Sequence, residues 1–204
     1  SVANFYGSSV SISGRQAIVV TGRDFFITDN DLNIYMYEYN IDLDQWIETY
    51  WYSIPAPYDL RSSAAISGNV AIVGGAAPDL SGPTALVFTK DEGQWNFADE
   101  IIPSDGINEG FGKSVAISGR QTIIASDAKV YIYDLNCYGS ENILIGPPNP
   151  SSVAISGNRA IVGYSSSEQA VVYEKTGGIW METAFLTASD AAADDNFGSS
   201  VAIS

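Results

Sequence analysis

Short alternations of apolar and small polar residues recur along the chain. The clearest runs from Ser152 to Gly157, Ser-Val-Ala-Ile-Ser-Gly, in which Val153 and Ile155 alternate with smaller residues. This alternation is typical of a half-buried β-strand. Near copies begin at Ser9, Ser63 and Ser114, and a partial copy runs from Ser200 to Ser204. A strand motif that returns every 40–50 residues or so indicates a propeller or another array of repeats.

The fourth repeat has clear turn signals after the motif. Gly157-Asn158 suits a tight hairpin, because both residue types tolerate positive φ. Thr176-Gly177-Gly178 marks a second turn, and Trp180 lies in the strand after it. The predicted strands are Ser152–Ser156, Arg159–Gly163, Ala170–Lys175 and Ile179–Leu186. The pattern therefore predicts four short antiparallel strands per repeat, which is one propeller blade.

Composition narrows the possible functions. The formal net charge of the 204 residues is −15, which disfavours binding to nucleic acid. The absence of histidine excludes Ser-His-Asp catalysis and imidazole ligands to zinc. Cys137 is the single cysteine, so it forms either an intermolecular bridge or a free thiol. No segment approaches the roughly 18 consecutive apolar residues of a membrane span.

The residues that link the repeats resemble a known family. Phe111-Gly112 and Phe197-Gly198 precede inner strands, and Phe5-Tyr6-Gly7 is a variant before the first. Gly74-Gly75-Ala76-Ala77-Pro78 and Val162-Gly163 follow the hairpins of the second and fourth repeats. This combination resembles the FG-GAP repeat, the blade unit of integrin α-subunit propellers. Leu60-Arg61 and Pro150-Ser151 depart from the Phe-Gly pattern, so these junctions should pack differently.

The predicted fold is an all-β propeller of four complete four-stranded antiparallel blades, followed by the first strand of a fifth. The predicted blades are residues 1–58, 59–109, 110–149 and 150–196, and residues 197–204 begin the next. The resemblance implies a larger propeller of about seven blades, of which this chain is a segment. The insertion at Arg23–Asn33 should form an exposed loop.

Calcium is the one cofactor that the resemblance brings into question. Members of the family often hold calcium in the inner hairpin, but the Gly-Arg and Gly-Asn turns here are too short to surround an ion that takes 6–8 oxygen ligands. We therefore predict no metal site there. The weaker candidates are Asp190, Asp194 and Asp195 before Phe197, and Asp29 and Asp31 in the insertion. The alternative for the first three is that they cap turns, and the alternative for Asp29 and Asp31 is that they belong to a solvated insertion loop.

Aromatic residues crowd the first repeat. Tyr35, Tyr37 and Tyr39 alternate along one strand, and Trp51 and Tyr52 follow shortly after. An exposed set would suit contact with a glycan or a protein. The same alternation also fits core packing within a sheet. We take these five residues as the candidate contact surface.

These observations predict a non-enzymatic extracellular module that binds protein or glycan, mediates adhesion, or assembles a structure at the cell surface. Its predicted partners are other protein chains or further blades of the same protein. The alternative is an enzyme on a propeller scaffold that acts on polysaccharide. Converging carboxylates without salt partners at the mouth of the central channel would favour the enzyme, and a flat aromatic patch on the first blade would favour binding.

Overall fold

The computed structural model describes residues 5–22, 31–55, 63–76, 82–106, 109–136, 140–190 and 195–204. Within these ranges, sixteen strands form four antiparallel sheets, each with its strands in sequential order. Blade 1 contains β1 (Phe5–Ser13), β2 (Gln16–Gly22), β3 (Asp31–Asn40) and β4 (Gln45–Pro55). Blade 2 contains β5 (Ser63–Ser67), β6 (Val70–Ala76), β7 (Thr84–Asp91) and β8 (Gln94–Ile101). Blade 3 contains β9 (Ser114–Ser118), β10 (Gln121–Ala125), β11 (Val130–Asp134) and β12 (Glu141–Leu144). Blade 4 contains β13 (Ser152–Ser156), β14 (Arg159–Tyr164), β15 (Gln169–Thr176) and β16 (Ile179–Leu186).

This architecture confirms the predicted all-β propeller fold. The first and last strands of the fourth repeat have the predicted bounds, and the middle two are longer by one or two residues. The four inner hairpins turn at glycines with φ between 55° and 62°, and the Arg or Asn that follows does not share the positive φ. Glycine is needed there because other residues rarely adopt this conformation. The exact blade boundaries, the fifth blade and the total blade number stay predictions.

The innermost strands of neighbouring blades are joined by serine side chains. Ser9 Oγ accepts a hydrogen bond from the Ala64 N–H at 2.8 Å, and Ser13 Oγ accepts one from the Gly68 N–H at 3.0 Å. Blade 2 is joined to blade 3 through Ser63 and Val115 (3.1 Å) and through Ser67 and Gly119 (3.0 Å). Blade 3 is joined to blade 4 through Ser114 and Val153 (3.1 Å) and through Ser118 and Gly157 (3.0 Å).

This serine ladder explains why the two serines of the motif recur. An innermost strand is the edge of its sheet, so half of its N–H groups have no partner within the blade. A serine from the preceding blade supplies the missing acceptor and satisfies a group that would be costly to bury unbonded. Crowding at the centre of the propeller would explain small residues at these two positions, but it would not explain why both carry a hydroxyl group in every repeat.

Apolar side chains fill the spaces between the blades. Blades 1 and 2 enclose one cluster, which includes Ile34, Met36 and Phe88. Phe111 is fully buried between blades 2 and 3, in edge-to-face contact with Tyr131. Residues of blades 3 and 4 share another cluster. The recurring tryptophans differ in burial. Trp95 is buried and Trp180 is half-buried between blades, whereas Trp46 is exposed.

The glycines of the Phe-Gly junction lie against glycines of the preceding repeat. A Cβ on Gly74 would lie 2.6 Å from the Gly112 Cα and closer still to the Gly112 carbonyl oxygen. Gly163 and Gly198 repeat this contact between blade 4 and the residues that follow it. Neither glycine of a pair has room for a side chain, because each faces the backbone of the other.

The two junctions that lack Phe-Gly are consistent with the same packing constraint between repeats. Strand pairing places Val20 and Ala125 in blades 1 and 3 at the position of Gly74 and Gly163. Each is followed by a junction without Phe-Gly, namely Leu60-Arg61 and Pro150-Ser151. Within this chain, glycine therefore occupies this one position of the second strand where the next junction carries Phe-Gly, and a larger residue occupies it where the junction does not.

Some predicted features lie outside the described residues. They are residues 23–30, which make up most of the Arg23–Asn33 insertion, and Cys137. In the described part of the chain, no helix is long and apolar enough to cross a membrane.

We expect Gly74→Ala to lower the free energy of unfolding by about 2–3 kcal/mol, because its Cβ would overlap the backbone of Gly112. The matched control is Ala125→Gly at the equivalent position of blade 3, which should cost about 1–2 kcal/mol from chain entropy and the loss of a buried methyl group. Denaturant unfolding measures both. Equal effects of the two substitutions would show that the glycine contact is not a packing constraint.

Candidate functional site

A groove opens between the outer strands of blades 2 and 3. Its volume is about 230 Å³, and its walls come from the end of β8, the residues after that strand, and strands β11 and β12. The lining residues are Asp99, Glu100, Ile101, Ile102, Ser104, Tyr133, Asp134, Leu135 and Glu141. Acidic residues thus alternate with aliphatic ones along the walls of this groove, a combination that suits a polar ligand with apolar faces.

Glu141 is the most firmly held of these carboxylates. Its Oε1 accepts a hydrogen bond from Ser104 Oγ at 2.5 Å. Its Oε2 accepts one from the Ser104 N–H at 3.0 Å and one from the Tyr133 hydroxyl at 2.5 Å. Three donors from two blades therefore fix the orientation of this side chain, which leaves one lone pair for a ligand.

Asp99 is the carboxylate that the end of β8 directs towards this groove. Strand pairing puts it opposite Val87, which packs with Leu135 of blade 3. Its Oδ1 accepts a hydrogen bond from the Glu100 N–H at 2.8 Å, whereas Glu141 is held by three donors. Glu100 is paired with Leu86, which packs between blades 1 and 2, so its side chain points away from the groove. Its buried Oε1, which has no hydrogen-bond donor in the described part of the chain, lies on that other face.

Two stacked tyrosines stand behind the groove. Burial raises the pKa of Tyr133, and its hydrogen bond to Glu141 raises that pKa further. Burial also raises the pKa of Tyr131 to about 12, and the negative charge of Asp105 adds to the shift. Lys129 forms an ion pair with Asp105 at 2.6 Å. Both phenols therefore stay protonated at neutral pH and act as hydrogen-bond donors to carboxylates.

The carboxylates singled out from the sequence do not gather at this groove. Asp190 and Asp195 are exposed near the C-terminal end of the chain. Asp29 and Asp194 lie outside the described residues, and so does the side chain of Asp31. Among the described residues, no cluster of three or more potential metal ligands occurs.

The aromatic residues of blade 1 divide between the two faces of its sheet. Strand pairing puts Tyr35 beside Trp51, and Tyr37 and Tyr39 follow on the same face. Trp51 is exposed, and the three tyrosines are half-buried. Tyr52 points the other way, where it stacks on Phe97 with ring centroids 5.9 Å apart and contacts the core between blades 1 and 2. Tyr52 therefore lies on a different face from the rest of the candidate contact surface, which consists of Tyr35, Tyr37, Tyr39 and Trp51.

Sequence reasoning missed the groove because its parts lie far apart in the chain. Ser104 and Glu141 are separated by 37 residues and belong to different repeats. Neither stands in the recurring motif, and nothing in the local sequence distinguishes Asp99 from other acids. The one available signal is irregularity, because the third repeat lacks the outer tryptophan and places Glu141 in that region.

We expect a tyrosine of the folded protein to ionise near pH 12, compared with about 10 in an unfolded chain. Because the neutral phenol is favoured in the folded state, its stabilising contribution is complete below pH 10 and is lost as the pH rises towards 12. The ultraviolet absorbance of tyrosinate follows this step. Tyr131→Phe should remove it, and an unchanged titration curve for that variant would contradict the assignment.

Comparison with known proteins identifies the repeat. The model of the FG-GAP repeat matches residues 180–204. No curated protein sequence matches the chain. The periplasmic gluconolactonase of Pseudomonas aeruginosa shares the fold with a TM-score of 0.62 at 14% identity, over 91% of this chain and 58% of that one. A Bacteroides uniformis protein assigned as a 6-phosphogluconolactonase gives a TM-score of 0.61 at 12% identity, over 92% of this chain and 59% of that one. A chain of the nidogen/laminin complex gives a TM-score of 0.54 at 9% identity, over 88% of this chain and 62% of that one.

The names of these similar structures correct one prediction made from the sequence. The sequence predicts a chain that is not an enzyme, because a repeated blade gives no reason for a single catalytic centre, but propellers with the same fold are named as lactonases. At these identities the likeness establishes the fold, and the chain spans less than two thirds of the length of each of these structures. The chain therefore has the β-propeller fold and carries an FG-GAP repeat at residues 180–204.

Proposed function

We propose that this propeller is a hydrolytic enzyme that acts on neutral carbohydrate, with polysaccharide as the substrate class and the groove between blades 2 and 3 as its site. The observation that carries the proposal is that two carboxyl groups from different blades, Asp99 of blade 2 and Glu141 of blade 3, face the same groove. Glu141 is held by three donors, whereas Asp99 accepts the Glu100 N–H through Oδ1. The lactonase names among the propellers of the same fold support an enzyme.

The two carboxyl groups meet the basic requirement of glycoside hydrolysis. One group must protonate the leaving oxygen, and the other must act on the opposite side of the scissile bond. We assign Glu141 to the second role, because its three hydrogen bonds hold it in one orientation for an attacking water. We assign Asp99 to the first role, because it faces the groove from the other blade and its described hydrogen bond is made by Oδ1, which leaves Oδ2 for the leaving oxygen.

The charge of the groove selects against phosphorylated substrates. Asp99, Glu100, Asp134 and Glu141 all line it, and the whole chain carries a net charge of −15. A phosphate group would be repelled at this site, since the described lining contains no lysine or arginine. Hydroxyl groups of a neutral sugar can instead donate to the carboxylates, while the apolar faces of the ring pack on Ile101, Ile102 and Leu135.

We also propose that the protein works outside the cytoplasm. Polysaccharide is an extracellular substrate class, and FG-GAP repeats are typical of surface proteins. One propeller with the same fold is named as periplasmic.

The test is a hydrolysis assay with the purified protein on neutral polysaccharides, gluconolactone and 6-phosphogluconolactone. We expect turnover of a neutral substrate, and we expect Asp99→Asn and Glu141→Gln each to lower kcat by about 100-fold or more. The matched control is Glu92→Gln, an exposed glutamate at the β7–β8 turn outside the groove, which should leave kcat unchanged.

Circular dichroism of each variant separates a lost side chain from a lost fold. Hydrolysis of 6-phosphogluconolactone in preference to the neutral substrates would contradict the proposed charge selection. Absence of turnover on every substrate, or equal rates for all three variants, would contradict the proposal as a whole.

A further inference from the structure

A larger groove opens one blade further along, between the outer strands of blades 3 and 4. Its volume is about 390 Å³. The walls include Leu144 and Ile145 from the end of β12 and the residue after it, Tyr173 from β15, and Trp180 and Glu182 from β16. We call it the second groove. It lies outside the site assigned to hydrolysis, and its lining residues have no role in that reaction.

Strand pairing makes the second groove the counterpart of the groove between blades 2 and 3. Tyr133 is paired with Glu141 in blade 3, and Tyr173 is paired with Glu182 in blade 4. Each of these tyrosines also lies opposite the second residue of the second strand of its blade, so the two occupy the same position of the repeat. The tyrosine–glutamate pair of the candidate active site therefore recurs in the next blade.

The opposite wall has changed in a way that matters for chemistry. Counted along the paired strands, Leu144 of blade 3 takes the position of Ile101 in blade 2, and Asn142 takes that of Asp99. A side-chain amide cannot supply the acid that glycoside hydrolysis requires. Among the described residues that line the second groove, Glu182 is the one acid. The second groove therefore lacks a carboxyl pair, and it suits binding rather than hydrolysis.

Glu182 is left available to a ligand. It is exposed, and no residue in the described part of the chain donates a hydrogen bond to it. The Tyr173 hydroxyl instead donates to the Ile145 carbonyl oxygen at 2.8 Å, which joins the two walls of the groove. Burial raises the pKa of Tyr173, so its hydroxyl keeps this proton at neutral pH. Both oxygens of Glu182 can therefore accept hydrogen bonds from the hydroxyl groups of a ligand.

Trp180 supplies an aromatic surface beside this carboxylate. Part of the side chain packs on the apolar cluster between blades 3 and 4, and part lines the second groove, where the residue is half-buried. On the opposite wall, Ile145 is 83% exposed. A sugar ring presents apolar faces and a rim of hydroxyl groups, which match an aromatic ring next to a carboxylate.

We propose that the second groove is a non-catalytic binding site for neutral carbohydrate, in which a sugar ring packs on Trp180 and Ile145 and its hydroxyl groups donate to Glu182. The choice of ligand rests in part on the proposed function, because the equivalent groove is the one assigned to a neutral sugar. Charge gives a second reason. The described lining contains no lysine or arginine, and the chain carries a net charge of −15, so an acidic sugar would be repelled.

The indole N–H signal of Trp180 in a nitrogen–proton correlation spectrum tests this site directly. The Asp99→Asn variant is titrated with cellohexaose, maltohexaose and laminarihexaose, because the proposed hydrolysis is slow in that variant. The Trp180 signal is assigned by its loss in Trp180→Phe. We expect at least one of these neutral hexasaccharides to shift it in a saturable way. An unchanged signal with all three would overturn the proposal.

A matched pair of substitutions tests the carboxylate. Glu182→Gln should weaken the affinity measured through the Trp180 signal by about fivefold, because a hydrogen bond to a charged acceptor is replaced by one to a neutral acceptor. Glu92→Gln, which changes an exposed glutamate outside both grooves, should alter it by less than about twofold. Equal affinities for the two variants would overturn the role of Glu182, and an equal response to acidic trigalacturonate would overturn the neutral ligand class.

These outcomes are distinguishable from those of the hydrolysis assay. A saturable shift of the Trp180 signal without turnover of any substrate would support the second groove as a binding site and contradict the proposed hydrolytic function. Turnover of a neutral polysaccharide without any shift of the Trp180 signal would do the reverse.

Discussion

The hydrogen bond from a backbone amide of one blade to a serine of the blade before it is the interaction on which this propeller depends. Each innermost strand is an edge strand, and an edge that is left unbonded is both unstable and prone to aggregation. The serines of the recurring motif satisfy these edges at all three described junctions. The middle position of the motif is less constrained, since Ser11 bonds the Ile66 N–H, whereas the later copies carry alanine there.

The glycine contact between successive repeats is a consequence of the same close approach. Serine has a short side chain, so the ladder forms only if neighbouring inner strands lie near each other. The chain that enters a new blade must then pass directly over the second strand of the previous one. Gly112 on Gly74 and Gly198 on Gly163 meet this requirement. The Phe and Gly of the repeat therefore have separate roles, because Phe111 fills the space between blades and Gly112 permits the approach.

The fold could be predicted from the sequence because each repeat restates the same local signals. Alternating residues indicate the strands, and the hairpin glycines indicate the turns, as in the fourth repeat. The aromatic residues of blade 1 were harder to assign, since alternation places Tyr35 and Tyr37 on one face without saying which face is covered. Tyr52 belongs to the opposite face, and only the pairing of β3 with β4 reveals this.

The candidate site could not be predicted in the same way, because it depends on where repeats meet. Glu141 acquires its role from Ser104, which comes from the preceding blade, and from Tyr133 on the adjacent strand. Asp99 faces the groove whereas the adjacent Glu100 faces blade 1, and only the pairing of β7 with β8 reveals this. Repetition thus makes the scaffold predictable from the sequence, whereas the chemistry lies in positions where the repeats differ.

The free energy of unfolding of Ser63→Ala, compared with that of Ser67→Ala, tests the role of the serine ladder most directly. Ser63 bonds the amide of the buried Val115, whereas Ser67 bonds the amide of Gly119, which water can reach. We predict a loss of about 1–3 kcal/mol for Ser63→Ala, because a buried N–H is left unbonded, and a clearly smaller loss for Ser67→Ala. If neither substitution changes the stability, the serine ladder does not hold the blades together.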